Sequence, residues 1–143
     1  MSIRSVRYLP ETEALALDPD GRAVFSITEP GRLAPLQPGW GRVFRHQFID
    51  TEYDAQSLRF AGIDWWLASG AIGPLQAIEL QEQIAALAES PPAWDVICHC
   101  HAGQSRSAAI AHYMADVHGA QLLQGCSPKA NRTDISLQIG RAS

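Results

Sequence analysis

The stretch Trp94-Asp95-Val96-Ile97-Cys98-His99-Cys100-His101-Ala102-Gly103-Gln104-Ser105-Arg106-Ser107 decides the reading of this chain. In it an apolar run passes through a small polar loop into a helical pattern. Residues 94–98 have the length and composition of a buried strand. From 105 to 118, Ala108, Ala111, Met114 and Ala115 recur at three- and four-residue spacing without an intervening proline. Gly119 stands where a left-handed C-terminal cap belongs. A strand that turns through a tight loop into a helix aims loop amides, and the positive end of the helix dipole, at one spot. An anion site is expected there.

The residues around that spot set its chemistry. A free thiol is mostly protonated at neutral pH, whereas a helix N-terminus and a nearby guanidinium favour the thiolate. Cys100 is therefore expected to act as a thiolate nucleophile. Arg106 follows it by six positions, the span over which a loop can curl and set a planar guanidinium fork opposite two phosphate oxygens. Gly103 supplies either a positive φ or room for the backbone to approach a ligand. His101, Ala102, Gly103, Gln104 and Ser105 would line the phosphate with Arg106. Ser107 is placed to donate its hydroxyl to the sulfur, and His99 to order the loop through hydrogen bonds rather than to act as a base.

Other chemistries fit less well. Cys98 and Cys100 alternate with His99 and His101, but strand alternation sends the cysteines to one face and the histidines to the other. No second Cys or His cluster completes a tetrahedral metal set, so no metal is expected. Gly103-Gln104-Ser105 lacks the final glycine of a serine-hydrolase elbow. Cys98 and Cys126 read as small buried hydrophobes. Oxidation of Cys100 with rescue by a neighbouring thiol is a further possibility, although Cys98 would be poorly aimed for it.

Residues 99–107 resemble the His-Cys-x-x-Gly-x-x-Arg-Ser/Thr signature of the cysteine-based protein tyrosine phosphatases, and Ala102-Gly103-Gln104-Ser105-Arg106-Ser107 resembles the dual-specificity branch. Five fixed residues would arise by chance on the order of once in twenty thousand chains of this size. The resemblance implies an α/β fold with a central, mostly parallel sheet of about four to five strands flanked by helices. It also implies two-step phosphoryl transfer through a phosphocysteine, without metal or cofactor. In that family the general acid is an aspartate past the strand that precedes the helix leading into the catalytic strand; Asp50 occupies that position, with Asp54 as the alternative and Asp64 a third choice. A closing helix led by Asn131 would help order the loop. The implied partners are phosphorylated proteins or small phosphomonoesters.

The chain of 143 residues carries a net charge of −4 and three cysteines. That length suits a single domain over residues 1–143 with a real core. The acidic balance offers no basic field for nucleic acid or an anionic membrane. No signal peptide or membrane-length segment is evident, and an odd cysteine count supplies no disulfide framework, so a reducing cytoplasm is expected.

Taken in order, residues 2–9 read as an edge strand, and residues 11–21 as Ala-Leu repeats followed by the turn Asp18-Pro19-Asp20-Gly21. Residues 23–28 read as a second strand. Proline and glycine then leave room only for a short helix before residue 42, where the dual-specificity phosphatases carry a longer one. Residues 42–49 alternate as a third strand. The connection over 51–73 is long enough to suggest a lid, with Trp65 and Trp66 either in the core or walling a cleft. Pro74 opens a helix with Leu75, Ile78, Ile84 and Leu87 inward, closed by Ser90-Pro91-Pro92.

The variable loop positions His101, Ala102, Gln104 and Ser105 lack the lysines that phosphoinositide phosphatases tend to place there, which leaves phosphotyrosine, with phosphoserine or phosphothreonine, as the expected substrate class. Two alternatives remain. One is an inactive phosphoprotein-binding module, and the other a sulfurtransferase or arsenate reductase built on the same cysteine loop.

Overall fold

The computed structural model describes residues 3–49, 73–101, 103 and 105–123. Eight elements follow in order: β1 (Ile3–Pro10), α1 (Glu11–Ala16), β2 (Ala23–Thr28), β3 (Arg42–Gln47), α2 (Pro74–Glu89), β4 (Trp94–Cys100), α3 (Arg106–His118) and β5 (Gln121–Leu122). The strands form one five-stranded sheet in the order β3-β2-β4-β1-β5. Every pairing is parallel, a stricter arrangement than the mostly parallel sheet expected.

A parallel sheet needs both faces covered, because its crossovers lie on the faces. On one face α2 and α3 enclose the main core, with Val6 and Tyr8 of β1, Phe25 and Ile27 of β2, and Val96 and Cys98 of β4. Phe25 and Phe44 stack there with ring centroids 4.5 Å apart. On the other face Leu9, Val24 and Ile97 meet Ala14 of α1, with Leu17, Leu36 and Trp40 packed against them.

Several boundaries fall where local signals place them. Asp20 and Gly21 have positive φ values of 47° and 72° in the turn that leads into β2. Gly119 closes α3 at φ 70°, its amide bonding the Ala115 carbonyl at 3.2 Å. Ser90 caps α2.

Other expectations are corrected. β1 extends to Pro10 and is not an edge strand, since β4 pairs along its length and β5 pairs with Ser5 and Val6 on its other side. Residues 29–41 hold no helix, consistent with the expectation that any helix there must be short. The third strand stops at Gln47, although Phe48 beyond it is fully buried. α2 faces the core with Ala77, Leu80, Ile84 and Leu87, while Leu75 is 82% exposed and Ile78 half-buried. Helical spacing turns Leu75 away from the face that Ala77, Leu80 and Ile84 present to the core. Among the described residues no helix is long and apolar enough to cross a membrane.

Candidate active site

β4 is the central strand, and the carboxyl ends of its neighbours gather around its own. Such a rim, where the chain departs to opposite sides of a parallel sheet, is the usual ligand position in open α/β folds. Four strands contribute to it. Cys100 ends β4, Glu11 follows β1, Glu29 follows β2, and Phe48 follows β3.

Cys100 is buried, and its sulfur is met from two sides. The Gly103 amide points to Sγ at 3.3 Å and the Ser107 hydroxyl lies 3.2 Å from it. Both groups belong to the turn into α3, so the sulfur sits at the positive end of that helix. Gly103 has φ +70°, and a Cβ built there would meet the Pro10 nitrogen at 2.2 Å and the Leu9 carbonyl carbon at 2.3 Å. The positive φ and the close approach expected as alternatives are thus both present, but the neighbour is the chain's own β1 terminus rather than a ligand. The Glu11 amide adds a bond to the His101 carbonyl at 3.2 Å, so the junction of β1 and α1 holds the loop.

Arg106 is the first residue of α3 and is 4% exposed. A buried guanidinium has to be paired and hydrogen-bonded. Its NH1 donates to the Phe48 carbonyl at 2.8 Å and its NH2 to Glu29 Oε1 at 2.9 Å, while buried Nε has no partner among the described residues. Burial works to raise the Glu29 carboxyl, but its own backbone amide and the guanidinia of Arg106 and Arg32 outweigh this and hold it below the usual range. Arg32 also binds both oxygens of Glu11, at 3.0 and 2.6 Å. Beside the loop these groups line a cavity of about 370 Å³ with His101.

His99 is fully buried, with Nε2 2.6 Å from Ser26 Oγ. The bond ties β4 to β2 just before the loop. Burial lowers its pKa, against the opposing pull of Glu11. Cys98 lies on the helix-covered face with Cys100, and burial raises its thiol far above the ordinary range.

The structure thus brings together Cys100, Gly103, Arg106 and Ser107, with His99 behind them and His101 and Ser105 at the rim. Ser105 is the N-terminal cap residue of α3, without a side-chain capping bond. Ala102, Gln104, Asp50, Asp54, Asp64, Trp65, Trp66, Cys126 and Asn131 lie outside the described residues, as do the connection 51–72 and the helix expected over 131–139. Among the described residues no three His, Cys, Asp or Glu side chains converge as a metal site.

Glu29 was not singled out by sequence reasoning, where Glu29-Pro30-Gly31 reads only as the end of a strand. Its signal is an acid at the carboxyl end of a parallel strand, which becomes meaningful once β2 is known to neighbour β4. Comparison with protein-family models, with curated proteins and with solved structures returns no match to this chain.

Proposed function

We propose that this chain is a cysteine-dependent phosphatase that hydrolyses phosphomonoesters, phosphotyrosine foremost with phosphoserine or phosphothreonine, in proteins. The observation that carries the reading is the sulfur of Cys100, which faces the Gly103 amide and the Ser107 hydroxyl at the start of α3. Those groups converge on the atom that would serve as nucleophile.

The buried Arg106 supports the same chemistry. Two of its nitrogens are held by Glu29 and Phe48, which fixes the plane of the guanidinium, and the unpartnered Nε–H is a donor that a phosphate oxygen would satisfy. Loop amides and Arg106 would hold the equatorial oxygens while the Cys100 sulfur attacks phosphorus in line. As the S–P bond forms the P–O bond to the alcohol or phenol breaks, and the leaving oxygen takes a proton from an aspartic acid. Water then attacks phosphorus, gives its proton to the same aspartate, and breaks the S–P bond with Ser107 easing departure of the thiolate.

Asp50 is the proposed acid, with Asp54 as the alternative. The described chain runs to Ile49, and the Phe48 carbonyl, two positions before Asp50, already rests on Arg106.

Hydrolysis of p-nitrophenyl phosphate in the presence of a metal chelator tests the reading. Turnover by the wild type that is abolished in Cys100→Ser is expected. Absence of turnover with retained phosphopeptide binding would make the chain a binding module instead, and turnover of thiosulfate or arsenate in its place would make it a sulfurtransferase or reductase.

A further inference from the structure

Among the described residues, the sheet face opposite α2 and α3 is covered only in part. α1 and the segment around Leu36 and Trp40 close over Leu9, Val24 and Ile97, near the carboxyl ends of the strands. Register places the next positions toward the amino ends side by side. Ser5 lies opposite Asp95 and Arg7 opposite Ile97, while Ala23 opposite Val96 brings Arg22 to the row of Asp95. These residues, with Leu123, line a cleft of about 270 Å³.

The polar groups of this cleft are unevenly matched. Asp95 accepts bonds from Arg4 Nε at 3.0 Å and from the Ser5 hydroxyl at 2.6 Å, and Arg4 NH2 also contacts it. Its charge is thereby answered mainly by Arg4, with a weaker pull from Arg22. Arg7 and Arg22, both half-buried, have no hydrogen-bond or ion-pair partner among the described residues, and NH1 of Arg22 is wholly removed from solvent without a partner. Counting Arg4, Arg7 and Arg22 against Asp95 and against Asp20, which borders Arg22 in the adjoining pocket, leaves one net positive charge among the described residues.

The walls of the cleft are built rather than mobile surface. The Arg22 backbone is pinned by its amide to the Pro19 carbonyl at 2.9 Å and by its carbonyl to the Gly41 amide at 2.8 Å, and Leu123 is held by its amide to the Val6 carbonyl at 3.1 Å. An orphaned, half-desolvated guanidinium costs stability unless an anion joins it. Five positions of β4 separate Asp95 from Cys100, about 16 Å along the strand, so this cleft is distinct from the cysteine loop.

We infer that the cleft between Arg7 and Arg22 is a second anion site that takes a small oxyanion, a phosphate group or a polycarboxylate. Guanidinium forks suit either ligand. The carboxylate of Asp95 at the edge disfavours any ligand that would displace Arg4, which limits the size of the occupant.

The inference is independent of the proposed phosphatase activity and is read directly by nuclear magnetic resonance on the ¹⁵N-labelled chain. Inorganic phosphate and citrate are titrated separately against sodium chloride at matched ionic strength. Saturable shifts of the Arg7 and Arg22 Nε–H signals and of the amides of Ser5, Asp95 and Ile97 are expected, resolved by residue from any shifts at Gly103 and Arg106. Response to phosphate alone would assign a phosphate group, and response to both a general oxyanion site. The Arg7→Gln, Arg22→Gln double variant should bind at least tenfold more weakly at this cleft and leave the loop titration unchanged. Shifts at Arg7 and Arg22 no larger than those in chloride, or unaltered at the neighbouring amides in the double variant, would overturn the assignment.

Discussion

Arg106 and Glu29 are joined at 2.9 Å although 77 positions separate them in the chain, and the bond crosses from the start of α3 to the loop after β2. It leaves the guanidinium with one nitrogen on a carboxylate, one on the Phe48 carbonyl and a buried Nε without a partner among the described residues. Glu29 is thus a positioning residue in the proposed reaction. Because its carboxylate is itself half-exposed, solvent screens the pair and the loss should be moderate.

Glu29→Gln is expected to lower kcat/KM for p-nitrophenyl phosphate by about tenfold, and Arg106→Lys by about 10²–10³-fold. Lysine keeps the charge but cannot span Phe48, Glu29 and a phosphate oxygen together. Steady-state kinetics on the two variants decides this, and equal activity of Glu29→Gln and wild type would remove Glu29 from the site.

Gly103→Ala should damage folding and activity together. The position needs φ +70°, and the added methyl would lie 2.2 Å from the Pro10 nitrogen, a backbone atom that cannot swing aside. The cost is at least about 2 kcal/mol from strain and overpacking. Urea unfolding of the variant checks it, and an unchanged midpoint would mean that β1 and the loop separate easily.

The cysteine loop was legible because its parts are adjacent in sequence. A strand, a glycine and a helix start fix the relative places of Cys100, Arg106 and Ser107 almost without help from the rest of the chain. Glu29 and Glu11 were illegible for the opposite reason, since their arrival depends on the strand order, and nothing local to either residue reveals that β4 inserts between β1 and β2. The status of β1 turned on a β5 of only two residues. The inward face of α2 was misjudged at Leu75, where hydropathy favours burial but helical spacing turns the position away from the face carried by Ala77, Leu80 and Ile84. The open cleft at Arg7 and Arg22 required knowing which part of a sheet face α1 covers.

Ser107→Ala is expected to act on the second chemical step more than on the first. The hydroxyl is 3.2 Å from the sulfur and can stabilise it whenever it carries charge, which includes its departure from phosphorus. Loss of one hydrogen bond to a charged group corresponds to about 10–100-fold. A burst of p-nitrophenol followed by a slowed steady state, seen by rapid mixing, would show the phosphocysteine accumulating. A uniform slowing with no burst would assign Ser107 to the first step or to structure alone.

Asp50→Ala should lose more activity on a phosphoserine peptide than on p-nitrophenyl phosphate, because an alkoxide needs a proton to leave and a nitrophenolate does not. The same comparison on Asp54→Ala distinguishes the two. The variant with the larger alkyl-to-aryl difference carries the acid, and equal differences would place the proton donor elsewhere.

His99 makes the fold sensitive to mild acid. Burial lowers its pKa, although Glu11 and the Cys100 carbonyl pull the other way, so the unfolded chain takes up a proton at a higher pH than the folded one. Stability contributed by the neutral imidazole is full above the unfolded value of about 6.5 and falls as pH drops below it, by at most about 1.4 kcal/mol per pH unit. The Ser26 hydroxyl can share a hydrogen with one neutral ring nitrogen at 2.6 Å, whereas a protonated ring would carry a charge into a fully buried position. Urea midpoints measured from pH 7.5 to 5 should therefore decline for the wild type. His99→Gln, which keeps a polar partner for Ser26 but cannot titrate, should begin less stable and decline less steeply over that range. The difference between the two slopes isolates His99 from the remaining histidines, and parallel slopes would show that the folded protein accommodates its protonation.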